Sequence, residues 1–320
     1  MRKIQYNQAI NEAIAEEMQR DEKVFIIGEG VQTSTFGTSV GLLDKFGPKR
    51  VIDTPISETA IVGAALGASM MGYRPIADLM FADFLYVCAD EVLLKAPQWR
   101  LLQGGTLKLP CVFFANMGGY RMLGNEHSHC PYSMMLQSPG LKVVVPSTPY
   151  DAKGLMKTAI RDDNPVFYLY HKGLLGLQGE VPEDDYSIPF GQADIKREGD
   201  DITVVATALM VHWVLEAAEK LKDRVSLEVI DPRTLEPLDL DTILESVKKT
   251  GRVLIVDEDT ERCGFAGDLS ALIMENAFDE LDAPVKRVCA ANYPIPACTM
   301  EKHVLPTPEK IVAAIQELAA

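Results

Sequence analysis

The chain has 320 residues, with 31 basic and 46 acidic side chains and a formal net charge of −15. Hydrophobic residues make up 47% and charged residues 24%, ordinary values for a globular protein with a full core, which excludes disorder and coiled coil; at roughly 100–200 residues per domain the length implies two domains. The acidic excess lies in short clusters such as Glu183-Asp184-Asp185 and Asp257-Glu258-Asp259 with no basic block to offset it, so no nucleic-acid partner is expected.

Residues 1–7 lack the apolar core of a secretory signal, so a cytoplasmic location is expected. No run approaches the roughly 18 consecutive apolar residues of a membrane span, and no membrane association is expected. Ala9, Ile10, Ala13, Ile14 and Met18 fall at helical spacing over 6–20, and Val24-Phe25-Ile26-Ile27 follows as a short buried strand ending at Gly28-Glu29-Gly30. Similar apolar runs predict strands at 74–77, 111–114, 142–145 and 166–169, with helical stretches at about 58–72, 82–103 and 149–162 between them. That alternation predicts a doubly wound α/β domain over 1–185. The stretch from Gly173 to Gly191, rich in Gly, Pro and acid, reads as a linker. Beyond it the pattern restarts, with strands at 202–206, 226–230, 253–256 and 285–288 and helices at 210–221, 240–250, 267–278 and 308–318, giving a second α/β domain over 190–320. Cys88, Cys111, Cys130, Cys263, Cys289 and Cys298 show neither C-x-x-C nor paired spacing with histidine, so reduced, mostly buried thiols are expected.

The most informative segment is Asp53-Thr54-Pro55-Ile56-Ser57-Glu58, where proline and serine precede a helix and Glu58 falls in its first turn. A glutamate there has a plain structural use, because it offsets the helix dipole. Two features ask for more. The helix that follows is built of small residues, Gly63, Ala64, Ala65, Gly67 and Ala68, a face suited to close packing against a second subunit. The next strand leads into Phe81-Ala82-Asp83-Phe84, at the sheet end where open α/β folds bind ligands.

D-T-P-I-S-E at 53–58, G-x-x-x-G-A at 63–68 and G-x-R-P-I-A-D-x-x-F-A-D-F at 72–84 closely resemble the β subunits of thiamine-diphosphate-dependent 2-oxo acid dehydrogenases, including the acetoin dehydrogenase branch. The resemblance continues through Asn125-Glu126-His127-Ser128, residues 138–146, 151–155 and 159–165, then Val229 to Leu235 and Val256-Asp257-Glu258. It implies an α/β chain of two doubly wound domains, a transketolase-like pyrimidine-binding domain and a transketolase C-terminal-like domain. The implied activity is cleavage of the C–C bond beside the carbonyl of a 2-oxo acid or acetoin, with the acyl unit passed to lipoamide on a partner acyltransferase. The implied assembly is an α2β2 heterotetramer with a separate α subunit.

By the same resemblance, Glu58 is a catalytic residue that also binds the cofactor. A carboxylic proton shared with N1′ of the aminopyrimidine favours the 4′-imino form, whose nitrogen takes the proton from C2 of the thiazolium. Phe84 matches the aromatic that stacks on the pyrimidine, and Ile56 a backbone contact beside it. His127 matches the second catalytic residue, a loop histidine that assists proton transfer and passage of the acyl group. The segment Cys111, Ala159, Ile160, Asp162 and Asn164 matches backbone carbonyls that hold a monovalent cation, usually potassium. The family reads Q-H-S-Q where this chain has Glu126-His127-Ser128-His129, and glutamate is commoner at Asp78. Tyr170-His171-Lys172 and the Gly-Glu-Val-Pro-Glu that follows look more like the acetoin branch. The G-D-G motif that anchors the diphosphate through magnesium is missing, Gly267-Asp268-Leu269 being the nearest fragment. Magnesium and diphosphate are therefore expected mainly on the α subunit. Three other readings stay open here. One is half of a split transketolase, for which Arg121 is the obvious phosphate contact in its loop. Another is a Rossmann oxidoreductase, against which the absent G-x-G-x-x-G argues. The last is an assembly subunit in which Glu58 only caps a helix.

Overall fold

The computed structural model describes all 320 residues. Contacts divide them into two units, Met1–Met117 with Met134–Phe190, and Gly118–Ser133 with Gly191–Ala320.

In the first unit β1 (Arg2–Gln5) leads into α1 (Tyr6–Arg20), which buries Ala9, Ile10, Ala13, Ile14 and Met18 at the predicted spacing. There follow β2 (Val24–Gly28), α2 (Leu42–Phe46), β3 (Val51–Asp53), α3 (Glu58–Met70), β4 (Arg74–Phe81), α4 (Ala96–Leu102) and β5 (Val112–Met117). After α5 (Tyr132–Leu136) come β6 (Lys142–Val144), α6 (Pro149–Arg161), β7 (Val166–His171) and β8 (Gln178–Val181). Strands β2 to β7 of this unit are parallel and lie in the order β6-β7-β5-β4-β2-β3. They are apolar and largely buried, as a sheet covered on both faces requires. The chain steps from β2 to β3 on one side and returns to β4 on the other, so the winding reverses at β2. Gly28 is needed there, since a Cβ would lie 2.4 Å from the carbonyl oxygen of Asp78 on the neighbouring strand.

Helix α6 starts with Thr148, whose hydroxyl accepts from the Asp151 N–H at 3.1 Å, and has Pro149 in its first turn. It packs on α1 through two fully buried lysine stems: Lys153 pairs with Glu16 at 2.6 Å and Lys157 with Glu16 at 2.5 Å. Arg161 pairs with Glu17 at 2.6 Å. Burial alone would raise the Glu16 carboxyl, but the two ammonium groups outweigh it and hold it below the usual range.

Two expectations need correction. The helix expected over 82–103 is broken into a 3-10 turn at Ala82–Val87 and a wide π turn at Asp90–Lys95 that runs into α4. Pro97 is the physical reason: in a helix interior it lacks a donor and collides with the preceding turn, whereas here it stands in the first turn of α4. The stretch read as a linker contains β8, which pairs antiparallel with β1 from Arg2↔Val181 to Gln5↔Gln178. Its mostly polar and exposed residues give no apolar run to read.

The second unit contains β9 (Asp194–Arg197), β10 (Ile202–Ala206), α7 (Leu209–Leu221), β11 (Leu227–Asp231), β12 (Thr234–Glu236) and α8 (Leu240–Thr250). It continues with β13 (Val253–Thr260), α9 (Phe265–Ala277), β14 (Lys286–Ala290), α10 (Glu301–Val304) and α11 (Pro308–Ala319). Its sheet runs β14-β13-β10-β11-β9, parallel except for β9 at the edge. Asp239 caps α8 by accepting from the Thr242 N–H at 3.2 Å, and Gly251 ends it at φ 67°. The core packs Val204, Val229, Leu254 and Val256 of the sheet against Met210, Val214, Ile311 and Ile315 of α7 and α11. All six cysteines are unpaired, with Cys88, Cys111 and Cys130 buried and Cys263 and Cys298 exposed. No helix is long and apolar enough to cross a membrane.

Gly28→Ala should push β2 and β4 apart and lower folding stability by about 1–3 kcal/mol, read as a shifted urea midpoint at constant slope. A loss below about 0.5 kcal/mol would mean that this strand pair has slack to absorb a methyl group.

Candidate functional site

The loops after β2, β3 and β4 meet at the carboxyl end of the sheet, beside the strand where the winding reverses. In open α/β sheets this is where a ligand crevice forms. Thr54-Pro55-Ile56-Ser57 carries the chain from β3 into α3, and Ser57 at the cap makes no side-chain hydrogen bond to the helix. Glu58 therefore stands first in the helix. Its side chain is buried, at 8% exposure, yet no hydrogen bond or ion pair joins its carboxylate to another group of the chain. Buried carboxylates are normally answered by a donor. Ile56 beside it is 73% exposed.

Phe84 lies on the 3-10 turn after β4, and Thr59 ties that turn to the first turn of α3 by donating to the Val87 carbonyl at 3.0 Å. The turn is aimed by a break in β4. Register shifts between Asp78 and Phe81, Met80 takes φ 58°, and the Asp78 carboxylate accepts from the Met80 N–H at 2.8 Å. Phe84 then meets Phe81 edge to face at 5.7 Å, Phe81 meets Phe36 at 5.4 Å, and Phe36 meets Tyr170 at 6.2 Å. Lys172 lies 5.2 Å from the Phe81 ring centre. Half-buried Phe84 thus ends a row of braced rings. Asp78 is buried, and burial pushes its carboxyl up to about 7 against the pull of the Met80 N–H. Burial first, and then the nearby Asp78 charge, pushes the Tyr170 phenol well above its ordinary value.

Glu58, Ile56 and Phe84 are therefore brought together. The carbonyl group falls elsewhere: Cys111 precedes β5, Asp162 and Asn164 precede β7, and Ala159 and Ile160 end α6, at the opposite end of the same strands. There the Arg74 guanidinium donates to the carbonyls of Ile160 at 3.1 Å and Asp162 at 2.8 Å, and the Cys111 carbonyl accepts from the Val166 N–H at 2.9 Å. Each of these oxygens keeps a second lone pair. His127, half-buried, belongs to the loop Gly118–Ser133 that groups with the second unit. Gly267-Asp268-Leu269 lies inside α9, with Asp268 exposed in the first turn, so helix-end electrostatics account for it. No group of three or more His, Cys, Asp and Glu side chains is arranged to hold a metal ion.

Sequence reasoning missed the acids that hold the His127 loop, Glu258, Asp259 and Glu301, which accept from the N–H groups of Gly119, Ser133 and Met122. Asp257, Glu258 and Asp259 are buried on β13 at 0%, 4% and 7% exposure. Their continuity with the apolar run Val253–Val256 was the available signal, because an acid that continues a buried strand is not part of a solvated face. Burial, then the charge of Asp259, pushes the Asp257 carboxyl up.

Residues 2–178 match the family described as "Transketolase, pyrimidine binding domain", and residues 191–311 match "Transketolase, C-terminal domain". The chain is 46% identical to the 2-oxoisovalerate dehydrogenase subunit beta of Bacillus subtilis (strain 168), covering 98% of both chains. It is 44% identical to the acetoin:2,6-dichlorophenolindophenol oxidoreductase subunit beta of the same organism, covering 99% of this chain and 97% of that one. To the pyruvate dehydrogenase E1 component subunit beta of Rickettsia felis it is 42% identical, with 98% of both chains covered. Among solved structures, an inactive β4 tetramer of a split-gene transketolase superposes with a TM-score of 0.81 at 25% identity, over 99% of this chain and 98% of that one.

The Asp78 carboxyl, at about 7 in the fold against 3.8 as its ordinary value, keeps a proton that the unfolded chain releases. Its contribution to stability is thus greatest in acid and falls as pH rises from about 4 to about 7. Asp78→Asn should melt above the parent at pH 8, with the difference vanishing near pH 4. Parallel melting curves at every pH would show that Asp78 is ionised throughout.

Proposed function

The chain belongs to the family of E1 β subunits of thiamine-diphosphate-dependent 2-oxo acid and acetoin dehydrogenases, and from that membership we propose that it carries the pyrimidine half of a cofactor site completed by an α subunit. The single observation behind this reading is Glu58: buried, at the carboxyl end of the sheet, and unanswered by any group of its own chain. A cofactor ring nitrogen is the kind of partner that such a carboxyl fits.

Bound, thiamine diphosphate supplies the carbon nucleophile and the electron sink for cleaving the bond beside a carbonyl. The Glu58 carboxyl oxygen would share a proton with the pyrimidine nitrogen. Phe84 offers a ring face, fixed by Phe81, for the pyrimidine to stack on. Ile56 offers backbone on the exposed approach to that carboxyl. His127 moves a proton during passage of the acyl group to a lipoyl arm on a partner acyltransferase. Magnesium and diphosphate are assigned to the α subunit, because this chain lacks the G-D-G motif that anchors them. The outward face of α3 supports a subunit partner: Gly63, Ala64 and Gly67 are exposed, and a Cβ at either glycine would touch nothing of the chain within 4 Å. The substrate is a 2-oxo acid or acetoin. The split-transketolase reading is weaker, at 25% identity against 42–46% for the E1 β chains.

Assembled with its α subunit, Glu58→Gln should form the complex yet lose at least about a hundredfold in turnover of acetoin, pyruvate or 2-oxoisovalerate, because a carboxamide cannot pass the proton. Calorimetry on the chain alone should show no tight binding of thiamine diphosphate with magnesium. Full activity of Glu58→Gln, or tight binding by the isolated chain, would overturn the split site.

A monovalent cation on the carbonyls of Cys111, Ala159, Ile160, Asp162 and Asn164, beside Arg74, completes the proposal. Binding to the folded state alone should raise the melting temperature in potassium chloride over N-methylglucamine chloride at equal ionic strength. Equal melting in both salts would remove the ion.

A further inference from the structure

From Gly118 to Gly124 every second residue of the His127 loop has a left-handed backbone: Gly118 at φ 88°, Tyr120 at 64°, Met122 at 61° and Gly124 at 81°. Glycine adopts that conformation freely, whereas tyrosine and methionine do so only when their surroundings impose it. Buried carboxylates of the second unit accompany the strain. The Gly119 N–H donates to Glu258 at 3.0 Å, and the Met122 N–H donates to Glu301 at 2.9 Å. At the far end of the loop the Ser133 N–H donates to Asp259 at 3.4 Å. Glu258 and Glu301 are 4% and 5% exposed. The Tyr120 ring meets Trp213 edge to face at 4.6 Å and its hydroxyl donates to the Pro306 carbonyl at 3.0 Å. The Gly119 backbone lies so close to Leu305 that a Cβ would fall 2.2 Å from its Cδ1. The Gly118 N–H donates to the His129 carbonyl at 3.2 Å, which closes the loop around His127.

Charge-assisted bonds from backbone N–H to carboxylate are among the stronger hydrogen bonds. Apolar packing would suffice to keep a loop on a surface. Two buried acids, one on the N–H of Gly119 between two left-handed residues and one on the N–H of left-handed Met122, instead set the path of the chain. We propose that Glu258 and Glu301 are positioning residues that hold the loop in its strained course and so fix His127 for the acyl-transfer step. This rests on the reading of His127 given above.

The test uses the assembled α/β enzyme and whichever of acetoin, pyruvate and 2-oxoisovalerate the parent turns over. Two rates are compared, one with 2,6-dichlorophenolindophenol as electron acceptor and one with a lipoyl domain. Glu258→Ala and Glu301→Ala should lower the lipoyl-to-dye ratio by about tenfold or more with the substrate KM unchanged, since a small displacement of a reacting group costs heavily. Glu258→Gln and Glu301→Gln should keep the ratio within about threefold, because the carboxamide oxygen still accepts the backbone N–H. Trypsin should cut after exposed Arg121 faster in the alanine variants than in the glutamine ones. If Glu258→Ala does not assemble, Glu301→Ala on the short α10 carries the same comparison. Alanine variants with the parent's ratio, while His127→Ala collapses it, would overturn the positioning role alone. A parent-like ratio in His127→Ala would overturn the reading of His127 and this inference with it.

Discussion

Taking a carboxylate out of water costs several kcal/mol unless it is neutralised, paired or hydrogen-bonded, and this fold meets that cost in several ways. Asp78 and Asp257 are pushed up by burial, which favours the protonated form. Glu17 is paired with Arg161 and Arg20 across α1 and α6. Glu258, Asp259 and Glu301 accept backbone N–H groups from the loop 118–133. Glu58 alone of this set finds nothing in its own chain, although the first turn of a helix has free N–H groups and favours negative charge there.

Much of the architecture was legible because parallel strands buried on both faces are continuous apolar runs, and because α1, α6 and α8 carry their apolar residues at helical spacing. The failures have a common physical origin. Residues 82–103 are rich in helix formers, but Pro97 and the break after Asp78 decide the hydrogen-bond pattern, which composition does not encode. β8 is polar and half exposed, and it is a strand only because β1, far earlier in the chain, lies antiparallel alongside it in the register Arg2↔Val181 to Gln5↔Gln178.

The candidate site divides in the same way. Glu58, Ile56 and Phe84 lie within a short stretch whose motif names them, and local structure brings them together through the Thr59–Val87 hydrogen bond. The anchors of the His127 loop lie 139 and 179 residues away along the chain from the N–H groups they hold. A relation of that length leaves no periodicity or spacing to read. Asp257-Glu258-Asp259, counted with the acidic excess, is a buried strand end. Formal charge therefore overstates what this protein presents to a partner, since part of its acid is spent inside the fold.

The proposed sharing of a site between subunits puts a particular demand on each chain. Binding energy from the partner becomes available only on assembly, so groups that must be accurate on first contact have to be held beforehand by their own unit. Phe84 is held by a row of rings and by a strand break locked through Asp78. The His127 loop is held by carboxylates that draw strained backbone onto β13 and α10. Neither device involves Glu58, whose carboxylate is fixed only by its place at the head of a helix of small residues. That helix leaves its glycine face bare, so a partner's backbone can come close without displacing a side chain. The bracing of Phe84 and the bare face of α3 thus belong to the first unit, while the second unit braces the His127 loop with carboxylates of its own.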